Sequence, residues 1–196
     1  MGRPHRIQEA GAIYHVAARG NRGQSVFFDN DDRRRFLRIA GIVFAEEEWI
    51  CHSVCLLTNH YHLLLTTARA NLAKGMHRLN STYANSFNRR HRKKGHLFEK
   101  RYFSGLVETE ANFLHAVRYM ALNPVRAGIC TLPEDWRWSS YRAAVGCAPK
   151  PDFLNLDTVL GQFSKDVFTA RRELRAFVEE DLESPLDDAA LREPAA

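Results

Sequence analysis

Two histidines in the stretch Asn59-His60-Tyr61-His62 flank a single bulky residue, and an aliphatic run follows them. Side chains alternate between the two faces of a β-strand, so a strand here directs His60 and His62 to one face and Tyr61 to the other. Neutral imidazoles bind divalent metals well, and two held this close form half of a metal site. The spacing therefore predicts a strand with a metal-binding face and a face that enters the core.

A tyrosine and an asparagine follow at helical spacing in the segment 112–127, NFLHAVRYMALNPVRA. Its apolar residues recur with the period of an α-helix, and Pro124 is expected to close that helix because the residue before a proline is pushed out of the α region. Tyr119 and Asn123 are one turn apart and share a face. The phenol can act as a nucleophile and the amide oxygen as a hard ligand. With the two histidines, this is the equipment for attacking a phosphodiester.

These motifs carry a resemblance to a known family. The His-hydrophobe-His strand resembles the motif of HUH single-strand nucleases, and YMALNPVRAG resembles the single-tyrosine transposases, more specifically the REP-associated tyrosine transposases. Segment 14–22, YHVAARGNR, resembles their first strand and loop, and segment 135–141, DWRWSSY, resembles the part of their chain after the catalytic helix. The likeness spans about residues 1–147 in the expected order. One departure is Asn123, where insertion-sequence relatives usually carry Gln, which shortens the reach to the metal by one methylene.

The resemblance implies a transposase or endonuclease that cleaves and rejoins single-stranded DNA at REP-type hairpins. Tyr119 is then the catalytic nucleophile, which forms a 5′-phosphotyrosine and leaves a free 3′-OH. His60, His62 and Asn123 are the expected ligands of Mg²⁺ or Mn²⁺. The expected partner is an imperfect DNA hairpin with a short tetranucleotide at its foot. Insertion-sequence relatives work as dimers with exchanged tyrosine helices, whereas the resemblance favours a monomer here.

Positive charge is unevenly distributed along this chain of 196 residues, which has 28 Lys and Arg against 23 Asp and Glu and a net charge of +5. The run RRHRKK at 89–94 is followed by aromatic residues at 98, 102 and 103. Charge beside stacking surfaces is typical of proteins that bind single-stranded nucleic acid. The predicted DNA contacts are Arg3, Arg6, Arg19, Asn21 and Arg22 for the foot of the hairpin, and Arg78, Arg89, Arg90, Arg92, Lys93, Lys94, Lys100, Arg101 and Arg126 for its phosphates.

Strand and helix patterns alternate through the first part of the chain. Strands are predicted at 13–18, 49–57 and 60–67, the last two joined by a tight turn at Thr58-Asn59, and a fourth strand lies within 97–107. Asp31 or Asp32 is expected to cap a helix to about residue 47, Asn71 a helix to about residue 91, and Thr109 the tyrosine helix. The order β-α-β-β-α-β predicts an α+β, ferredoxin-like split βαβ fold. Two helices are expected on one sheet face, and the tyrosine helix on the histidine face.

The sequence divides into a transposase-like domain at 1–148, a helical extension at 149–183 and an acidic tail at 184–196 that we expect to be disordered. The extension is predicted to form two short amphipathic helices, at 153–163 and 167–182. The first residues do not resemble a signal peptide, and no segment approaches the roughly 20 apolar residues that cross a bilayer. The expected location is the cytoplasm, at the nucleoid, without membrane association.

Other interpretations remain open at this stage. Cys51 and Cys55 before the two histidines allow a Cys₂His₂ zinc site, although buried structural thiols fit their apolar strand better. The basic run could be a solvated helix end, and Arg126 a partner of the helix dipole. The remaining histidines are expected to be structural or to contact phosphates, with His15 the foremost exception. The whole chain could be a hairpin-binding regulator that does not cleave, or an RNA-binding domain, although the RNP aromatic signature is missing.

Overall fold

The computed structural model describes residues 8–182 and contains a four-stranded antiparallel sheet. The strands are β1 (Ile13–Arg19), β2 (Trp49–Leu56), β3 (His60–Thr67) and β4 (Phe103–Val107). Their spatial order is β2-β3-β1-β4, so β1 and β3 lie at the centre. The predicted α+β class and the split βαβ order are confirmed.

Helices α1 (Asn30–Glu47) and α2 (Leu72–His91) pack on one face of the sheet. Phe36 of α1 lies against Tyr61 of β3, with ring centroids 4.5 Å apart, and against Tyr83 of α2, at 5.2 Å. The Tyr61 hydroxyl donates to Asn80 Oδ1 on α2. Tyr61 therefore anchors β3 in the core, as its position between the histidines predicts.

Helix α3 (Glu110–Arg126) covers the opposite face. The Thr109 hydroxyl caps it by accepting from the backbone N–H of Asn112 at 3.1 Å, as predicted. The expectation that Pro124 closes the helix is wrong. Pro124 removes only the hydrogen bond of its own missing N–H, and the helix continues for two more residues, to Arg126.

Two helix caps differ from the sequence-based prediction. The cap of α1 is Asp29, whose carboxylate accepts from the backbone of both Asp31 and Asp32. Asn71 stands at the start of α2 but does not cap it, because its side chain accepts from the Trp49 indole and donates to Glu47. The fourth strand, Phe103–Val107, lies within 97–107 as predicted. Local sequence indicates these elements, whereas the choice among neighbouring capping groups depends on tertiary contacts.

The segment after α3 adds to the outer edge of β2. Leu56 N donates to Trp138 O at 3.0 Å, and Ser140 N donates to Val54 O at 2.8 Å. Short helices α4 (Tyr141–Ala144) and α5 (Asp157–Gly161) follow, so the helix predicted at 153–163 is shorter than expected. The connection back across the sheet edge fixes the end of α3 relative to the strands.

Helix α6 (Val167–Glu179) packs against α3 and buries Ala170, Leu174 and Val178 in the common core. Arg118 of α3 forms ion pairs with Glu180 and Asp181 just beyond α6, at 3.2 and 2.9 Å. The predicted acidic tail at 184–196 lies outside the described residues. None of the helices within residues 8–182 is long and apolar enough to cross a membrane.

Candidate active site

The two histidines of β3 lie side by side on the sheet face that α3 covers. The ring centroids of His60 and His62 are 4.9 Å apart, with the ring planes nearly perpendicular. His62 is buried and His60 is half-buried. The prediction that they share a face opposite Tyr61 is confirmed by these positions.

Helix α3 brings Tyr119 and Asn123 to this pair. The Tyr119 ring meets His62 edge-on, with centroids 5.4 Å apart. One turn later, Asn123 Nδ2 lies 3.2 Å from His62 Nε2. The sheet and the helix thus assemble four side chains, two from each element, that the sequence grouped only by local spacing.

Two residues that sequence reasoning did not assign to the site complete it. His15 of β1 is fully buried, its ring stacks on His62 at 5.1 Å, and its Nε2 lies 3.0 Å from His62 Nδ1. Asn59 Oδ1 lies 2.7 Å from His60 Nδ1. The sequence indicates that His15 lies on a predicted strand, but it does not give the pairing of that strand with β3. The register, which sets Ala17 opposite His62, brings the rings of His15 and His62 together.

Burial keeps these imidazoles uncharged at neutral pH. Desolvation, helped by the nearby Arg19 charge, lowers the pKa of His60 from 6.5 to about 4. Desolvation with a smaller effect of His115 lowers the pKa of His15 to about 4. Desolvation, followed by His15 and His60, lowers the pKa of His62 well below its ordinary value. Neutral imidazole is the form that binds a metal.

The donor set fits a divalent cation. His60 and His62 offer neutral ring nitrogens, and Asn123 can offer an amide oxygen in place of the N–H₂ group that now faces His62. No group of three or more His, Cys, Asp and Glu side chains within residues 8–182 is arranged to hold a metal. The three candidate ligands are neutral side chains. A negatively charged oxygen of the DNA phosphate would supply the negative charge that favours binding of a divalent cation here.

The cysteines are not part of this site. Cys51 and Cys55 are fully buried, and desolvation raises the pKa of the Cys51 thiol to about 12 and that of Cys55 beyond the usual range. All four cysteines of the chain are free. Because no cluster of these thiols with histidines occurs in the described part of the chain, the Cys₂His₂ zinc interpretation is wrong there.

A cleft of about 570 Å³ opens beside the histidines and Tyr119. Three of the predicted DNA contacts, Arg19, Lys100 and Arg101, line it. Phe103 adds an aromatic surface to the same wall. The cleft therefore combines positive charge, a stacking surface and the candidate nucleophile.

Residues Asn21 and Arg22 lie in a 3₁₀ turn (Asn21–Gly23) directly after β1. Gly20 before it permits a close approach, since a Cβ there would stand 2.0 Å from Gln24 O. Gly20 N donates to Asn59 O at 2.8 Å, which ties this turn to the start of the histidine strand. The turn therefore lies next to the cleft, where the sequence predicts contact with the hairpin foot.

The basic end of α2 is only partly available. Arg89, Arg92, Lys93 and Lys94 are exposed. Arg90 instead makes a bidentate pair with Asp29, at 2.8 Å for both bonds, and also pairs with the buried Asp32. Arg90 therefore joins the end of α2 to the start of α1, and so does the adjacent His91, whose Nε2 lies 3.0 Å from Asp32 Oδ2.

Two further predicted contacts, Arg78 and Arg126, lie away from the cleft. Arg78 pairs with Glu46 at the end of α1, on the side of the sheet away from the histidines. Arg126 Nη2 donates to Asp181 O at 3.2 Å beside α6. Arg3 and Arg6 lie outside the described residues.

The tryptophan segment after α3 is structural. Trp136 and Trp138 donate to Leu56 O and Asn30 Oδ1, at 2.8 and 3.1 Å. The Arg33 guanidinium lies between the two indoles, within 5.4 and 5.9 Å of the ring centroids. The segment thus fastens the sheet edge to the start of α1, close to the basic end of α2.

Comparison with known proteins finds a family model that matches the sequence and a solved structure of similar fold. The family model for IS200-like transposases matches residues 9–122, which include His60, His62 and Tyr119 and stop just before Asn123. A solved structure of a REP-associated tyrosine transposase bound to a REP hairpin is similar in fold, with a TM-score of 0.64 and 17% identity over 85% of this chain and 93% of that one. A tRNA(His) guanylyltransferase from Saccharomyces cerevisiae gives a TM-score of 0.47 and 10% identity over 93% and 80%, too low to support an argument. No curated protein matches the sequence.

Proposed function

The chain belongs to the IS200-like transposase family, and we propose that it cleaves and rejoins single-stranded DNA at REP-type hairpins through a 5′-phosphotyrosine. One observation carries the proposal: Tyr119 lies against the neutral His62, which also contacts the Asn123 amide, and Tyr119 lines a basic cleft together with both histidines. A nucleophile, an uncharged ligand set and a phosphate-binding wall in one place match the demands of phosphodiester transfer better than those of binding alone.

Tyr119 is the proposed nucleophile. Its phenolic oxygen attacks the scissile phosphorus, the phenolic proton is lost, and the bond from phosphorus to the 3′ oxygen breaks. The 3′ oxygen takes a proton and leaves as the free hydroxyl, while the 5′ phosphate stays on the tyrosine. Rejoining reverses these steps with another 3′-OH, so no high-energy cofactor is needed.

His60, His62 and Asn123 would hold Mg²⁺ or Mn²⁺ beside this phosphate. A cation bound there supplies polarisation of a non-bridging phosphate oxygen. Basic side chains of the cleft bind the DNA: Arg19, Lys100 and Arg101 attract and orient the phosphate.

The DNA is proposed to run from this cleft along the outer side of α2. A second groove, of about 580 Å³, shares Lys100 and Arg101 with the cleft and is also lined by Phe98. The exposed basic end of α2 lies at the same end of the molecule, because α2 runs back toward the start of β4. Aromatic and basic side chains along one path suit a single strand next to a hairpin stem.

The specific substrate is proposed from the relative bound to a REP hairpin. Asn21 and Arg22, at the turn beside the cleft, together with Arg19 and the N-terminal Arg3 and Arg6, are the candidates for reading the foot of the hairpin. Side chains that contact base edges specify sequence, whereas those on phosphates only position the DNA. The chain is proposed to act in the cytoplasm, at the nucleoid.

The chain is proposed to work as a monomer whose tyrosine serves its own histidines. Arg118, next to Tyr119, is held by Glu180 and Asp181 and stacks 3.5 Å from the Phe177 ring centroid. These contacts tie α3 to α6 and the residues just after it in the same chain. The proposed division into residues 1–148, 149–183 and 184–196 gives the helical extension this bracing role.

The proposal is tested by incubating the protein with a labelled library of single-stranded hairpins and Mg²⁺ or Mn²⁺. Covalent adducts are isolated under denaturing conditions, and the attached DNA is sequenced. We expect adducts at one position beside hairpins that share a foot sequence. Specific hairpin binding without any adduct would contradict cleavage and identify a non-cleaving regulator.

A further inference from the structure

Both histidines of β3 make a hydrogen bond through Nδ1, and we propose that Asn59 and His15 are positioning residues that leave Nε2 of both rings unprotonated. A histidine binds a metal through a nitrogen lone pair, and a partner on the other nitrogen decides which lone pair is free. The inference rests on the proposed function, because an unprotonated Nε2 is the atom through which each ring would bind the metal.

The protonation of His60 follows from the orientation of the Asn59 amide. Asn59 Nδ2 donates to Gly23 O at 3.3 Å. A carbonyl oxygen only accepts, so the amide nitrogen must point to Gly23 and the amide oxygen must be the atom 2.7 Å from His60 Nδ1. An amide oxygen also only accepts, so His60 Nδ1 carries the proton. A neutral imidazole has one such proton, which leaves a lone pair on Nε2.

The protonation of His62 follows from its two neighbours. One hydrogen bond joins His62 Nδ1 and His15 Nε2, which are 3.0 Å apart, and the rings are stacked within 12° of parallel. On the other side, Asn123 Nδ2 lies 3.2 Å from His62 Nε2 and donates to it. A nitrogen that accepts this bond has a lone pair, so the proton of His62 is on Nδ1 and His15 Nε2 accepts.

This arrangement leaves one polar atom of His15 unsatisfied. Its remaining proton is on Nδ1, which is buried and has no hydrogen-bond partner within residues 8–182. A buried donor without a partner is unfavourable for the fold. An apolar side chain would fill this part of the core without an unsatisfied donor, so an imidazole at this position fits a role in directing His62.

Nuclear magnetic resonance tests the proposal on the metal-free, DNA-free protein. Long-range ¹H–¹⁵N correlation of the histidine rings at neutral pH reports which nitrogen carries the proton, and His60→Gln and His62→Gln assign the signals. We expect both rings to be protonated on Nδ1. In Asn59→Ala the proton of His60, and in His15→Leu the proton of His62, should move to Nε2. Asn59→Asp and His15→Gln, which keep an acceptor, should retain the wild-type pattern.

Titration of Mn²⁺, followed by electron paramagnetic resonance, gives a second measure. Asn59→Ala and His15→Leu should weaken Mn²⁺ binding by about 10–100-fold, and the acceptor-retaining variants should restore it. His52→Gln is the matched control, since His52 is also a buried imidazole under α3 but bonds to Thr66. It should change neither the tautomers of His60 and His62 nor the Mn²⁺ affinity.

Protonation on Nε2 in the wild-type rings would overturn the inference, as would unchanged tautomers in Asn59→Ala. The wild-type spectrum decides the matter even where His15→Leu does not fold. The readout is separate from cleavage: absent cleavage with both rings protonated on Nδ1 defeats the proposed function and leaves the inference intact. Cleavage with Nε2 protonated in the wild-type rings defeats the inference and leaves the proposed function intact.

Discussion

Tyr119 and His62 meet edge to face, with ring centroids 5.4 Å apart and ring planes at 86°. One belongs to a helix and the other to the sheet beneath it, so their contact depends on how firmly α3 is docked. The same histidine touches Asn123 on one side and His15 on the other. His62 therefore contacts the proposed nucleophile, the third candidate ligand and the buried histidine of the neighbouring strand.

Loss of either histidine should remove metal-dependent cleavage. His60→Ala and His62→Ala each delete a strong ligand, so cleavage should fall by a factor of about 100 or more, with weaker Mn²⁺ binding. Asn123→Ala should be milder because water can fill a position around a hard cation. Hairpin cleavage assays with a Mn²⁺ series measure this, with His52→Gln as the control. Wild-type rates in excess chelator would refute the metal requirement.

The exposed part of the basic end of α2 should contribute phosphate contacts. Replacing Arg89, Arg92, Lys93 and Lys94 by Gln should flatten the slope of log affinity against log salt by about 0.7 per contact on single-stranded DNA and about 0.9 on duplex. The ranking of the hairpin over scrambled hairpins should hold. Fluorescence anisotropy at several salt concentrations gives the slope, and the control is Lys165→Gln, just before α6, combined with Arg172→Gln on α6. An unchanged slope would mean that these charges only solvate a helix end.

Arg90 should contribute less to the salt slope than the four exposed basic residues, because its guanidinium is already paired. This difference could not be predicted from the sequence. The run of basic residues is visible in the sequence, but the carboxylates of Asp29 and Asp32 that occupy Arg90 are remote along the chain. The pairing of His15 with His62 likewise depends on strand register. The shared face of His60 and His62 and that of Tyr119 and Asn123 could be predicted, because each follows from the period of a single strand or helix.

The contacts of Arg118 should stabilise the position of the tyrosine helix. Arg118→Ala removes two ion pairs and the stacking on Phe177, which together should lower the free energy of unfolding by about 1–2 kcal/mol. Cleavage should fall while the salt slope of hairpin binding stays the same, since the residue braces α3. Chemical denaturation and cleavage assays check both, against Arg172→Ala on the exposed side of α6. Unaltered stability and cleavage would remove the bracing role of the extension.

The buried neutral imidazoles should make the metal-free protein sensitive to acid. The pKa values of His15 and His52 fall from 6.5 to about 4 on folding, mainly through desolvation. Between these values the unfolded chain binds more protons, so stability is complete above 6.5 and is lost as the pH falls toward 4. At about pH 5 each imidazole should cost roughly 2 kcal/mol. Urea unfolding above pH 6.5 and between pH 6.5 and 4 measures this loss of stability, and His52→Gln should reduce it. Equal losses in the wild type and in His52→Gln would contradict the prediction.

The identity of the nucleophile is tested most directly by the covalent adduct itself. Wild-type protein is incubated with its hairpin and Mn²⁺, and the adduct is digested and mapped by mass spectrometry, alongside Tyr119→Phe and the neighbouring control Tyr102→Phe. Removing only the hydroxyl should leave folding and hairpin binding intact. We predict DNA attached to Tyr119 in the wild type and in Tyr102→Phe, and no adduct in Tyr119→Phe. An undiminished adduct in Tyr119→Phe would contradict the proposed mechanism and place the nucleophile at another tyrosine.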